Sequence, residues 1–475
     1  MADPLQHVHF VAICGTGMGS LAGLLRARGL RITGSDEGLY PPMSTALAEW
    51  GIPVVEGFRA ENITDTAPDL VVIGNAVGPD NPEARCAIDE GFRVLSFPDA
   101  LFDLAIAGHH SVVVAGTHGK TTTTALVGQI LQATGRDPSL LVGGYSFDFA
   151  GSFREGAGEH FVVEGDEYDT VFFDKTPKFL HYGARTAIIT SVEFDHADIY
   201  RDLEHVKAAF RALVAGMPAD GTLVAAVGSE AVRDVLRDAP CRVIGYGLDA
   251  TGAPDWTAHD VDVSEAGTAF VAVHGDGRRV AVSVPLFGRF NAENALAALV
   301  TVDALGVPLA EAAKVLHDFR GIKRRQEVRG EAGGVLVIDD FAHHPTAVRG
   351  TVEAVRSRYS GRRIVAVFEP RTNTSRRAVF QQSYAEAFDL ADRVVVALPP
   401  QGALYSATGE VGETFSPERL VADIRARGGA AEQPGDVDAI VQHLAATCEP
   451  GDVVLVMSNG AFGNIWERLL QAFGG

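Results

Sequence analysis

The chain uses almost no lysine: six residues against 34 arginines among 475. It is also poor in cysteine, in net positive charge and in long apolar runs, and each shortage narrows what the protein does. Cys14, Cys86, Cys241 and Cys448 stand far apart with no CxxC pair, so they read as structural thiols. Acidic residues outnumber basic ones 61 to 40, a formal net charge of −21. A surface of that sign on average repels a phosphate backbone, so nucleic acid is not an expected partner. The longest apolar runs, such as 111–115 and 393–398, fall far short of the roughly 20 residues that span a bilayer. The opening MADPLQHVHF has neither a basic n-region nor an apolar h-region. No signal peptide or membrane insertion is therefore expected, and the chain reads as cytoplasmic.

What is present is an ordinary globular composition, 47% hydrophobic and 21% charged. The length exceeds what one core sustains, so roughly three domains of about 150 residues are expected. We place them at 1–107, 108–320 and 321–475. In the first, an apolar run (9–14) leads into Gly15-Thr16-Gly17-Met18-Gly19 and a helical pattern (20–28). A second strand then ends at Asp36, and 70–74 reads as a later strand. That is the order of a nucleotide-binding βαβ unit, with Ser20 where a third glycine is usual. NAD, FAD and UDP-sugars all use such a turn, because it offers backbone N–H groups and a helix dipole to a diphosphate.

The second unit opens with a strand (111–115), then Gly116-Thr117-His118-Gly119-Lys120-Thr121-Thr122 and a helix (124–134). The third alternates strands (335–338, 364–368, 393–398, 452–457) with helical patterns (417–427, 437–446). This predicts an α/β fold with a mostly parallel sheet covered on both faces. The glycine-rich turn at 116–122 is the strongest chemical signal. Such a loop aims N–H groups at phosphate oxygens, Lys120 would neutralise them, and the Thr121 hydroxyl suits Mg²⁺. In a chain that otherwise prefers arginine, a lysine here suggests that a compact ammonium is required. As a loop residue, Lys120 is not expected to belong to a core.

Five further clusters follow strands, open helices or mark a domain junction. Glu164 ends an apolar strand and begins Glu164-Gly165-Asp166-Glu167, where Mg²⁺ would find oxygen ligands. His196 stands among Glu193, Asp195 and Asp198. Asn291 and Asn294 lie on one face of a helix start, placed to read an adenine edge or to cap the helix. Lys323, Arg324 and Arg325 gather cations at a domain junction, and Asp339-Asp340-Phe341-Ala342-His343-His344 pairs carboxylates with imidazoles between a strand and a helix.

Taken in order, these motifs resemble the Mur ligase family across essentially the whole chain. The resemblance implies three domains: a Rossmann-like domain for the UDP-sugar, a central P-loop ATPase with a mixed or parallel sheet, and a Rossmann-like C-terminal domain that holds the amine component. It implies ATP and Mg²⁺, with a carboxylate converted into an acyl phosphate that an amine attacks. It assigns Thr121, Glu164 and His196 to metal. The loop 116–122, Asn291, Asn294, Arg325 and Asp340 go to ATP, and Gly15–Gly19, Asp36 and Asn75 to the sugar nucleotide. His343 or His344 would assist proton transfer.

GTGMGSLA, GSD and NPEA resemble the members that act on UDP-N-acetylmuramate itself. EGDEYDTVFFDK, EFDHADIY, FEPRTNTSRR and SNGAFGNI resemble members that attach L-alanyl-γ-D-glutamyl-meso-diaminopimelate more than members that attach L-alanine. Phe290 departs from the histidine common in the latter. A tripeptide brings extra carboxylates, and Arg371, Asn373, Arg376 and Arg377 after a C-terminal strand are expected to meet them. A nicotinamide-dependent dehydrogenase built on the first unit, or an ATPase without ligase chemistry, would leave these motifs unexplained. Oligomeric state is not legible.

Overall fold

A computed structural model describes residues 5–39, 43–409 and 411–474. The chain forms two compact units, one of residues 1–192, 207–256 and 297–315, the other of 193–206, 257–296 and 316–475. No helix among the described residues is long and apolar enough to cross a membrane.

The first unit holds two sheets. Strands β1 (His7–Val11), β2 (Arg31–Asp36), β3 (Val54–Glu56), β4 (Leu70–Ile73) and β5 (Val94–Ser96) pair in the parallel order β3-β2-β1-β4-β5. β1 and β4 are buried along their whole length, as strands covered on both faces must be. The chain leaves β1 to one side and returns to the other, so the carboxyl ends of β1 and β4 flank a topological switch point, where α/β sheets take ligands.

The second sheet is built on β6 (His110–Ala115), β7 (Ser139–Ser146), β8 (Gly151–Arg154), β9 (His160–Gly165), β12 (Thr186–Ile189), β13 (Thr222–Ala226) and β14 (Arg242–Gly247), in the order β14-β13-β12-β6-β9-β7-β8. A hairpin, β10 (Asp169–Val171) with β11 (Asp174–Pro177), stands beside it. The register sets Ala115 opposite both Gly165 and Ile189. The phosphate-loop turn, Glu164 and the segment after β12 therefore emerge at one edge. The helix after the turn starts at Lys120, four residues before the expected start. Consecutive threonines are poor helix formers, but Thr121–Thr124 are all buried and the Thr124 hydroxyl bonds the Lys120 carbonyl, so packing overrides propensity.

Within this unit the helix Thr16–Ala27 lies against β8. A Cβ at Gly23 would meet the Phe153 ring at 2.4 Å, and one at Gly19 would meet Met43 Sδ at 2.2 Å. Close helix packing thus comes from Gly19 and Gly23, while Ser20 hydrogen-bonds Ser152 at 2.6 Å. Arg28 Nε adds a bond to Glu155 at 2.9 Å.

The second unit contains β15 (Trp256–Ser264), β16 (Gly267–His274) and β17 (Arg279–Val284), and a six-stranded sheet. That sheet joins β18 (Glu327–Ala332), β19 (Val335–Asp340), β20 (Ile364–Phe368), β21 (Arg393–Val396), β22 (Ala431–Glu432) and β23 (Val453–Met457) in the order β18-β19-β23-β20-β21-β22. Only β18, at the edge, runs antiparallel. One core packs Val348, Val352, Tyr384 and Leu420 against one face, and another packs Ile440, Leu444, Ile465 and Leu469 against the other. The expected parallel sheet with helices on both faces is what forms.

Candidate functional site

The phosphate-loop turn is braced from behind. Gly116 sits at φ 139°, and a Cβ there would meet Thr190 Oγ1 at 2.0 Å. The Thr117 N–H donates to the Ser191 carbonyl (3.1 Å) and the His118 N–H to Ser191 Oγ (2.9 Å). Those two donors hold the loop, so the backbone offered to an anion is the helix N-terminus at Lys120, preceded by Gly119 at φ 79°. Lys120 Nζ donates to the Gly116 carbonyl (2.6 Å) and to Glu167 Oε2 (2.8 Å). Burial disfavours its ammonium form, yet Glu167, Asp166 and Glu164 together hold its pKa above the ordinary lysine value.

Glu164 is half-buried beside it. Its oxygens accept from the Thr121 hydroxyl (2.9 Å) and the Gly143 N–H (2.7 Å). Burial raises its pKa, Asp166 adds to the rise, and Lys120 opposes it. A carboxylate whose pKa stays raised despite Lys120 has room for more positive charge, and a divalent cation would supply it. The sequence reads Glu167 only as one of an acidic run for Mg²⁺ and does not single out Gly143; any Cβ at 143 would press on the Glu164 carboxylate at 2.7 Å.

At the switch point of the first sheet lies a cavity of about 490 Å³, lined by residues that include Ala12, Asp36, Phe58, Val77 and Asn81. Asp36 fixes the turn by accepting the Cys14 N–H at 2.8 Å. Gly15 precedes the helix Thr16–Ala27. Gly17, Met18 and Gly19 serve packing: against Phe97, Gly74 and Met43 respectively. Asn75 is exposed just beyond β4. Beneath the cavity, Glu83 is fully buried and accepts from Ser35, Asn62 and the Arg59 N–H. Burial raises its pKa, but bonds from His9, Ser35 and Asn62 outweigh that and leave it lowered.

In the second unit His196 adopts φ 51°, uncommon outside glycine and often found where function fixes the backbone. Its N–H donates to the buried Asp195 (2.7 Å), with His343 Nε2 at 3.9 Å from the same carboxylate. Burial works against that charge, but His196, His343 and His344 pull the Asp195 pKa well below the carboxylate range. His344 is buried, approaches the Phe194 carbonyl (3.2 Å), and caps the helix Pro345–Arg358 through the Thr346 N–H.

Asn291 and Asn294 are both buried. Asn291 Nδ2 donates to the Phe287 carbonyl (3.0 Å) and Asn294 Nδ2 to Asn291 Oδ1 (3.1 Å); neither bond caps a backbone N–H of the helix. Phe290 packs on Gly288 and Gly350. The Arg325 guanidinium lies 4.7 Å over the Phe341 ring, and Asp340 accepts the Gln326 and Ala342 N–H groups. After β20, Arg371 drapes over Gly460, while Arg376 and Asn373 bond the backbone of the loop at 402–405.

Three family descriptions match in series: Mur ligase family, catalytic domain, over 7–109; Mur ligase middle domain over 114–302; and Mur ligase, glutamate ligase domain, over 324–460. The chain is 38% identical over 477 residues to the Escherichia coli UDP-N-acetylmuramate--L-alanyl-gamma-D-glutamyl-meso-2,6-diaminoheptandioate ligase, covering 98% of each. The chain belongs to the Mur ligase family. Among solved structures, this Mur ligase is similar to a murein peptide ligase from Psychrobacter arcticus, with TM-score 0.75, 34% identity and 99% of both chains covered. It is also 34% identical to the UDP-N-acetylmuramate--L-alanine ligase of Acetivibrio thermocellus, over 99% of this chain and 97% of the relative.

One carboxyl in this Mur ligase stands apart. Asp339 is fully buried at the end of β19, and neither oxygen has a hydrogen-bond partner; Arg324 Nε lies 3.3 Å away. Burial pushes its pKa up to about 6 against the pull of Arg324. The folded chain therefore keeps this proton to higher pH than an unfolded carboxyl, titrating near about 4, would. Its contribution to stability is full below about pH 4 and lost as pH rises through about 6. Asp339→Asn is expected to raise the thermal unfolding midpoint at pH 8. The difference corresponds to roughly 2–3 kcal/mol and shrinks towards pH 4. An equal gap at both pH values would show that this proton is not linked to folding.

Proposed function

We propose that this Mur ligase joins L-alanyl-γ-D-glutamyl-meso-diaminopimelate to UDP-N-acetylmuramate, using ATP and Mg²⁺, in the cytoplasmic recycling of peptidoglycan. One observation carries the reading: the end-to-end likeness, at 38% identity, to the Escherichia coli relative named for that substrate pair. ATP would transfer its γ-phosphoryl group to the lactyl carboxylate, and the alanyl amine would displace phosphate from the acyl phosphate to form the amide. The nucleotide sugar suits the cavity beside Asp36, at the switch point of the first sheet.

The phosphate loop fits ATP through its helix N-terminus and Lys120, and family resemblance implies that Arg325 would help offset the charge of the transferring phosphoryl group. Glu164 and the Thr121 hydroxyl beside it fit Mg²⁺, with His196 the third ligand that family resemblance implies. When bound, the ion neutralises phosphate charge and polarises the phosphoryl group. The attacking amine must lose a proton. His343 suits that better than His344, because His344 is buried and caps a helix.

The second reading is UDP-N-acetylmuramate–L-alanine ligase, favoured by the 34% identity to a relative of that name. Competition separates the two. UDP-N-acetylmuramate and ATP are offered with L-alanine and the tripeptide together, and the product is weighed by mass spectrometry. The tripeptide adduct is expected to dominate. A product carrying alanine alone would replace the first reading with the second.

A further inference from the structure

Between β21 and the helix Pro417–Ala426 runs a long loop whose tip carries the most exposed large apolar side chain described, Tyr405, at 67%. An aromatic ring so exposed usually sits on a mobile backbone, but this backbone is pinned on both sides of the ring. The Tyr405 N–H donates to Asn373 Oδ1 (3.0 Å), and its carbonyl accepts from Arg377 Nη2. Arg376 Nη2 holds the Gly402 carbonyl (2.7 Å), and Arg377 Nη1 approaches Ser406 Oγ (3.4 Å). The Arg377 Nε is buried without a hydrogen-bond partner, and burial lowers the pKa of that guanidinium. Desolvating a cation is unfavourable unless what it holds compensates.

Asn373, Arg376 and Arg377 all come from the segment after β20, at the carboxyl edge of the sheet where Arg371 also lies. Arg371 is 44% exposed and packs against Gly460, where a Cβ would meet its Nε at 2.4 Å. Its Nη1 lies 3.5 Å from the Glu369 carboxylate. The sequence grouped these polar residues as one cluster for carboxylates. The structure divides them: Arg371 packs half-exposed against Gly460, and the other three hold the loop at 402–406.

We infer that Tyr405 is a specificity-determining residue for the amine substrate, and that Asn373, Arg376 and Arg377 are positioning residues that fix it. The inference rests on the tripeptide reading above. An exposed aromatic ring on a pinned backbone and a half-exposed guanidinium on neighbouring loops match a ligand with a long aliphatic stem and a terminal carboxylate. Free L-alanine, with a single methyl group, offers nothing to the ring.

Steady-state kinetics on the full-length enzyme test this, with KM measured separately for tripeptide, ATP and UDP-N-acetylmuramate. Tyr405→Ala is expected to raise the tripeptide KM about tenfold, the scale of one aromatic contact. Its kcat and the other two KM values should stay within about twofold, and Tyr405→Phe should restore the tripeptide KM. Arg377→Gln should reproduce the effect of Tyr405→Ala, and the double variant should add nothing, since both act through one ring. A tripeptide KM unchanged in Tyr405→Ala overturns the inference; so does an equal rise in all three KM values, which would mark a structural role. A wild type that refuses the tripeptide would instead overturn the substrate reading on which it rests.

Discussion

Lys120→Ala is expected to lower ligase turnover by at least about 10²-fold, the scale of losing one charge partner of a transition state. The same change is expected to destabilise the protein, and here the structure corrects the sequence. A loop lysine was not expected to belong to a core, but Lys120 and Glu167 are both nearly enclosed and bond at 2.8 Å. Removing the lysine leaves a buried carboxylate with its counter-charge gone, which costs on the order of 3–5 kcal/mol in comparable pairs. Low activity alone would therefore be ambiguous. The Lys120→Ala, Glu167→Gln double variant separates the effects: its thermal midpoint should recover while ADP release stays low. Near-normal turnover in that variant would show that 116–122 is not the ATP site.

Glu164→Gln is expected to abolish activity, or to shift the Mg²⁺ requirement upward by at least about tenfold, because an oxygen-seeking dication loses its charged ligand. Two donors already converge on this side chain, Gly143 N–H and the Thr121 hydroxyl. Glutamine keeps the size but sets an amide N–H₂ where an acceptor stood. The hydroxyl can rotate to accept; the Gly143 N–H cannot. Mg²⁺ titrations of turnover, wild type against variant, decide the matter. Superimposable curves would remove Glu164 from the metal.

The sequence made legible whatever local chemistry specifies. Buried strands announce themselves as apolar runs, and the 116–122 turn carries its glycines in the open, so the parallel sheets and the phosphate loop could be read directly. What escaped was set by partners distant along the chain. Glu167 read only as one of an acidic run until β9 brought it to Lys120, 47 residues earlier. Gly143 looked like any strand glycine until the Glu164 carboxylate was found against it. Asn373, Arg376 and Arg377 read as polar side chains for a ligand, and only the return of the chain at 402–406 shows what they grip. The start of the helix at Lys120 was misjudged because four threonines have poor propensity, and burial does not appear in a propensity scale.

The contact of Phe153 with Gly23 bears on how such enzymes can be recombined. The N-terminal sheet looks like a cassette that a cut near residue 107 would free. The hairpin formed by β7 and β8 belongs to the central sheet, yet it puts Phe153 and Ser152 into the helix Thr16–Ala27. A chimera joined at 107 would set one parent's ring against the other parent's helix, and any side chain larger than glycine at position 23 would collide with it. Parts exchanged between relatives need to travel as a matched set: the N-terminal sheet, its glycine-notched helix, and the 151–155 strand that fills the notch.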